Sequence, residues 1–268
     1  MKKSFVKYFI LLFLLFFYIP DCFAKPNKKE LVTAQSAILV DLARNKIIYA
    51  KNIHTKLAPA STVKVLTALV TLEQLGANAE VEVSRNASCA QPSKIWLKPG
   101  EKYNSLDLIN AALISSANDA SVALAEAVAG SEFQFAKIMN KRAKSLGAKN
   151  SNFINATGLP AKNQYSTAYD LYRLVRIALD NPVVCQVMKK KNEKITSDAG
   201  KEISLVNHNK LLFRMSYPLV LGKTGYTKNA KHCYAGIAYY GKKKYAVVVL
   251  KSSKPWTDVK KLLSLVKN

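Results

Sequence analysis

The sequence predicts an α+β fold: one antiparallel sheet built from both ends of the chain, with flanking helices and an inserted helical subdomain. Two observations carry this. Runs rich in β-branched residues occur near the start (SAILV, KIIYA) and again beyond residue 218, and helical periodicity occupies most of the stretch between them. A third sets the scale, because 268 residues, about half of them apolar and only 10 Gly and 9 Pro, can bury a substantial core. No internal repeat, low-complexity block or flexible linker follows residue 33, so 34–268 is expected to be one compact unit.

The first 24 residues stand apart. Lys2, Lys3 and Lys7 precede the uncharged run YFILLFLLFFYI, Pro20 breaks it, and Cys22 and Ala24 place small residues at −3 and −1 of a cleavage site. Residues 1–24 therefore read as a secretory signal peptide and 25–33 as a short linker. The apolar run of 12 residues falls short of the ~20 needed to span a bilayer. Asp21 also disfavours lipid attachment at Cys22. The expected location is the periplasm or the outer face of the cytoplasmic membrane.

Residues 36–51 carry two strand-like runs around Ala43-Arg44-Asn45-Lys46, a β-hairpin pattern. Helices are expected over 60–75, 105–115, 119–130, 132–146 and 167–180, the last with Thr167 as N-cap and Asp170 three positions on. Strands return near 219–223, 232–240 and 244–251, the last two joined through Gly241-Lys242-Lys243. The closing segment places Trp256, Val259, Leu262, Leu263 and Val266 on one helical face. That face is expected to cover the sheet, with a basic membrane-surface helix as the alternative.

Composition excludes several classes. Cys89, Cys185 and Cys233 remain after export, enough for at most one disulfide, and no C-x-x-C pair exists. His54, His208 and His232 are scattered, so neither a metal nor a cofactor is expected. Losing Lys2, Lys3, Lys7 and Asp21 with the leader takes the net charge from +24 to +22. Such a charge suits anionic wall polymers or a phospholipid surface, whereas the Arg-aromatic interleaving that reads nucleic acid is missing.

Chemistry enters at PASTVK. Positions i and i+3 of a helix are neighbours, so the Ser61 hydroxyl can meet the Lys64 amine. Burial among Val63, Val65, Leu66 and Leu69 lowers a lysine pKa, which turns the amine into a base for the serine. The helix start adds free N–H groups where an oxyanion would develop. S-x-x-K alone is a weak signal, since Ser4-Lys7 and Ser264-Lys267 repeat it. Context strengthens it. Ser116-Ala117-Asn118 follows 55 residues after Ser61 at a helix junction, and Lys223-Thr224-Gly225 another 107 on at a strand end, where glycine allows a substrate backbone to approach.

In its motif trio the chain resembles the D-alanyl-D-alanine carboxypeptidases, low-molecular-mass penicillin-binding proteins sharing the β-lactamase/transpeptidase fold. The resemblance runs from about residue 34 to 250 and includes SSANDAS, Met139-Asn140, FINATGLP (153–160), STAYDL (166–171), NHNKLL (207–212) and GKTGYTKNA (222–230). It implies an acyl-enzyme on Ser61, with Lys64 as proton acceptor and Ser116 and Asn118 as relay and substrate ligand. Lys223 and Thr224 would hold a terminal carboxylate beside Gly225, and the Ser61 and Tyr226 N–H groups would form the oxyanion hole. Implied partners are peptidoglycan stem peptides and, as covalent inhibitors, β-lactams.

Three departures stand out. Lys231 replaces a usual glycine, no histidine precedes Gly158, and the additional C-terminal β domain and membrane-binding helix of many relatives are not expected. Alternatives are a β-lactamase, an endopeptidase acting on cross-links, and a catalytically idle wall-binding protein. Fast β-lactam turnover needs a second base, and the nearest approach to its E-x-x-L-N pattern is Glu202-Ile-Ser-Leu-Val with Asn207 one position late.

Overall fold

The computed structural model describes residues 30–214 and 218–266, and the chain from Leu31 onward forms one compact unit. The expected signal peptide and most of the 25–33 linker lie outside the described residues.

The main sheet has five antiparallel strands in the order β2-β1-β9-β8-β7. They are β1 (Ser36–Asp41), β2 (Lys46–Lys51), β7 (Leu219–Thr227), β8 (Lys231–Tyr240) and β9 (Lys243–Ser252). The first strand pairs with the last, Ile38 opposite Val248 and Val40 opposite Ala246, which unites the two chain ends as expected. Strand alternation then sorts the side chains. Ile38, Val40, Val248 and Leu250 enter one core, while Ala37, Leu39, Val247 and Val249 enter a second on the opposite face. Because both faces are covered, these strands read as continuous apolar runs.

Helix α9 (Pro255–Ser264) covers the second face with Val259, Leu262 and Leu263, and Trp256 meets Tyr234 edge-on at 6.1 Å. Each of these buried aliphatic side chains contributes roughly 1.5–3 kcal/mol of transfer free energy. Sheet packing is therefore its role in the fold. Buried Asp258 ties it to the chain start, accepting from Thr33 N (2.9 Å), Thr33 Oγ1 (2.7 Å) and Ser252 Oγ (2.6 Å). Among the described residues no helix is long and apolar enough to cross a membrane.

The other face packs on α1 (Lys64–Leu75) and α6 (Ala168–Asp180). Thr167 caps α6 as expected, its side chain accepting from Asp170 N. Against α1 lie α3 (Ser105–Ile114), α4 (Asn118–Ala129) and α5 (Glu132–Ser145), with α7 (Pro182–Lys189) beside α3. Helix α1 is thus the axle between sheet and helices, buried from Lys64 to Thr71.

Several features differ from expectation. The 60–75 helix begins with a 3₁₀ turn, Ala60–Val63, so that α1 proper starts at Lys64. Strand β7 runs on to Thr227, so Lys223-Thr224-Gly225 lies within the strand rather than at its end. Two small two-stranded sheets, β3 (Glu80–Glu82) with β4 (Lys102–Asn104) and β5 (Asn192–Thr196) with β6 (Glu202–Val206), and the short helices α2 (Arg85–Ser88) and α8 (Lys210–Arg214) were not anticipated. Cys89, Cys185 and Cys233 are all free thiols.

Candidate active site

The 3₁₀ turn presents Ser61 from a backbone already under tension: Ala60 has φ +48°, and Thr62 Oγ1 donates to the Pro59 carbonyl at 2.7 Å. Two glycines make room for it. A Cβ on Gly158, itself at φ +79°, would run into the Ala60 carbonyl, and one on Gly225 would come within 2.9 Å of Ser61 N. Loop 153–160 and strand β7 therefore both abut the serine turn.

Lys64, the first residue of α1, is completely buried. Its Nζ lies 3.0 Å from Ser61 Oγ, 2.7 Å from Asn118 Oδ1 and 2.7 Å from the Thr157 carbonyl. The last two atoms only accept. A neutral amine gives them its two protons and keeps its lone pair for the Ser61 hydroxyl. Burial pushes the Lys64 pKa well below the usual lysine value, the nearby Lys223 cation lowers it further, and Glu132 and Asp119 oppose the shift. This is the protonation state a general base requires.

Ser116 stands between α3 and α4 with φ +60° and is 6% exposed. That left-handed backbone is strained for serine, and Ser116 lines the cleft. Asn118 opens α4. Its Oδ1 takes the Lys64 proton, its Nδ2 donates to the Gln91 carbonyl (2.8 Å), and its N–H to the Ser93 carbonyl (2.8 Å). An amide nitrogen has two protons, so one remains for a ligand. Asp119 next to it straps the same loop by accepting from Ile95 N and Leu97 N.

Across the cleft, Lys223 is 1% exposed and donates to the Thr224 carbonyl at 3.1 Å, and burial lowers its pKa to about 7. Strand β7 is a sheet edge, so alternate backbone groups face away from β8 toward the cleft. Thr224, Gly225 and Tyr226 line it there, and the exposed Tyr226 ring rests 4.7 Å from that of His232. Ser61, Ser116 and Asn118 share this cavity of about 550 Å³ with them. Of the eight residues singled out from sequence, six line it, and Lys64 and Lys223 sit buried beside it. Among the described residues no three His, Cys, Asp or Glu side chains gather as metal ligands.

Sequence reasoning missed three participants. The Thr157 carbonyl completes the Lys64 environment, and FINATGLP carried no assigned role although its match marked the segment. His208 lines the cleft between two buried asparagines. Asn207 Nδ2 donates to the Lys190 carbonyl and Asn209 Nδ2 to the Val220 carbonyl, both at 2.8 Å. Burial first, then Lys223 and Lys64, holds the His208 pKa below the usual imidazole value. Glu132 is the third, through its bond to Ala156 N at 3.0 Å. By contrast Glu202, the nearest match to a deacylation base, forms an exposed ion pair with Lys194 at 2.8 Å and does not line the cleft.

Known proteins share this arrangement of chain. DacF of Bacillus subtilis, a D-alanyl-D-alanine carboxypeptidase, is 38% identical over 248 residues, covering 89% of this chain and 63% of that protein. A D-alanyl-D-alanine endopeptidase of Escherichia coli is 32% identical over 224 residues, 82% of this chain and 71% of that one. The crystal structure of a D-alanyl-D-alanine carboxypeptidase from Mycobacterium tuberculosis superposes with a TM-score of 0.82 at 30% identity, over 88% of this chain and 92% of that chain. The profile of peptidase family S11, D-alanyl-D-alanine carboxypeptidase, matches residues 24–254, and the chain belongs to that family.

Proposed function

We propose that the protein is an exported serine D-Ala-D-Ala carboxypeptidase that trims peptidoglycan stem peptides and is acylated by β-lactams. The observation that carries this reading is the Lys64 amine, buried and within hydrogen-bond reach of Ser61, Asn118 and the Thr157 carbonyl at once. As Ser61 Oγ attacks the penultimate D-Ala carbonyl, its proton passes to Lys64 Nζ. The oxyanion sits on the Ser61 and Tyr226 N–H groups. Ser116 relays the proton to the leaving D-Ala amine, and the free Asn118 amide proton holds the acyl-side carbonyl. Lys223 and Thr224 receive the terminal carboxylate. Water then frees Ser61. Glu202 is paired to Lys194, and among the described residues no carboxylate lines the cleft for rapid deacylation, so the penicilloyl enzyme is long-lived. The positive surface adds a second contact, with anionic wall polymer or lipid head groups outside the cytoplasmic membrane.

Intact-mass analysis after benzylpenicillin should show one adduct per chain lasting minutes, absent from Ser61→Ala. Drug turnover above about one per second would sink the reading, because acylation and deacylation would then both be fast. Incubated with muropeptides, the protein should release D-Ala from monomers. Cleavage confined to cross-linked dimers would instead make it an endopeptidase, like its Escherichia coli relative.

A further inference from the structure

The Thr157 carbonyl that meets Lys64 comes from a segment without helix or strand, so something else must fix it. Asn140 anchors its start, accepting from Phe153 N (2.8 Å) and donating to the Phe153 carbonyl (2.7 Å). Asn155 Oδ1 folds the other end, taking Thr157 Oγ1 and Gly158 N. Between them Ala156 is gripped on both sides. Thr67 Oγ1, one turn along α1 from Lys64, donates to its carbonyl at 2.7 Å, and Glu132 Oε1 accepts its N–H at 3.0 Å. Glu132 is thus one residue removed from the carbonyl that Lys64 touches.

Glu132 also carries charge into the same neighbourhood. Lys64 feels Lys223 on β7, Asp119 on α4 and Glu132 on α5, and His208 before α8 in turn feels both lysines. Asp119 is committed to the Ile95, Leu97 and Ala120 N–H groups. Glu132 itself faces Glu126, which is held by Ser84 and Asn86, and Lys64. Burial raises the Glu132 carboxyl pKa and Glu126 adds to the rise, while the Ala156 N–H, the Lys64 charge and the start of α5 oppose it.

We propose that Glu132 is a positioning residue for acylation: by holding the Ala156 N–H it fixes the segment that offers the Thr157 carbonyl to Lys64, and it supplies the negative charge against which the Lys64 ammonium forms. The inference rests on the acyl-enzyme reading above. In that step the Ser61 Oγ–acyl bond forms, the scissile carbonyl electrons move to the oxyanion, and the Ser61 proton arrives on Lys64. Glu132 neither gives nor takes a proton. Its field makes Lys64 a stronger base than burial beside Lys223 would leave it.

The test is the rate of acylation by benzylpenicillin, followed by stopped flow between about pH 5 and 10. Activity rises with pH as Lys64 becomes neutral. Glu132→Gln keeps the acceptor for Ala156 N and removes only the charge. Its rising limb should move about half a unit to one unit toward acid. Its plateau should fall roughly three- to tenfold, because the neutral amine is a weaker base. Glu132→Ala should show the same limb with a plateau at least about 30-fold down, since the Thr157 carbonyl also loses its anchor. Glu132→Gln with limb and plateau unchanged would overturn the proposal, whatever happens to thermal stability. Failure of the native protein to take the drug would overturn the acyl-enzyme reading itself, and is seen before any variant is made.

Discussion

Lys223 is an amine held where water cannot reach it, with its pKa down at about 7. The folded state favours the neutral amine, so between about pH 7 and the lysine value of 10.5 the unfolded chain binds more protons. Unfolding free energy from this group therefore rises with pH across that window and is least below it. Replacing the lysine with an apolar side chain of similar length removes the cost. Lys223→Met should be more stable than the native protein near pH 7, by on the order of a few kcal/mol, and the advantage should vanish as pH approaches the ordinary lysine value. Urea melts of both proteins across the window check this; a constant difference would mean that Lys223 titrates normally in the fold. The same variant should lose recognition of a free-acid peptide far more than of its amidated counterpart. Ser61, Lys64, Ser116, Asn118 and the Lys223 strand were legible in sequence because residue type and spacing mark them. The Thr157 carbonyl was not, since every residue has one and only the fold decides which meets an amine.

Among the elements, loop 153–160 shows how narrow the space around the nucleophile is. Gly158→Ala forces a side chain onto φ +79° and into the Ala60 carbonyl, so the serine turn must move. Acylation should fall at least about 100-fold, since displacement of a reacting group by an ångström costs that much. The fold should weaken by only about 1–3 kcal/mol. Acylation kinetics and a thermal melt on one preparation separate the two, and an undiminished rate would show that the loop yields instead. Helix α6 was legible to its cap because Thr167 and Asp170 announce it, and α9 because its apolar stripe is unbroken. The two-stranded sheets β3–β4 and β5–β6 were not. Glu80–Glu82 has three residues with one apolar position, and Asn192–Thr196 buries only Ile195, too few alternations for a period to register. The length of β7 escaped because Gly222 and Gly225 resemble turn residues, whereas in the sheet their missing side chains make way for Tyr234 and for the Ser61 turn.

For the whole molecule, a single sheet shared by the two chain ends was readable because β-branched runs at both ends of one compact chain had to meet somewhere, whereas the order of its strands was not. Strand β1 lies between β2 and β9, so what joins the β1–β2 hairpin to the β7–β8 hairpin is the strand formed by residues 243–252. A chain ending at residue 242 keeps Ser61, Lys64, Ser116, Asn118 and Lys223 yet lacks that strand and α9, whose Pro255 and Trp256 also line the cleft. It should take up no benzylpenicillin and should be digested rapidly by trypsin; an adduct on it would show that the sheet closes without β9. The order in which the ribosome makes the chain then acquires meaning. Ser61 appears early, but the wall of the cleft across from it is secured only after some 180 further residues have followed. A contact of such long range closes slowly. The cleft can therefore take shape only once nearly the whole chain is available, and a partial chain carries Ser61 without the strand that ties the opposite wall into the sheet.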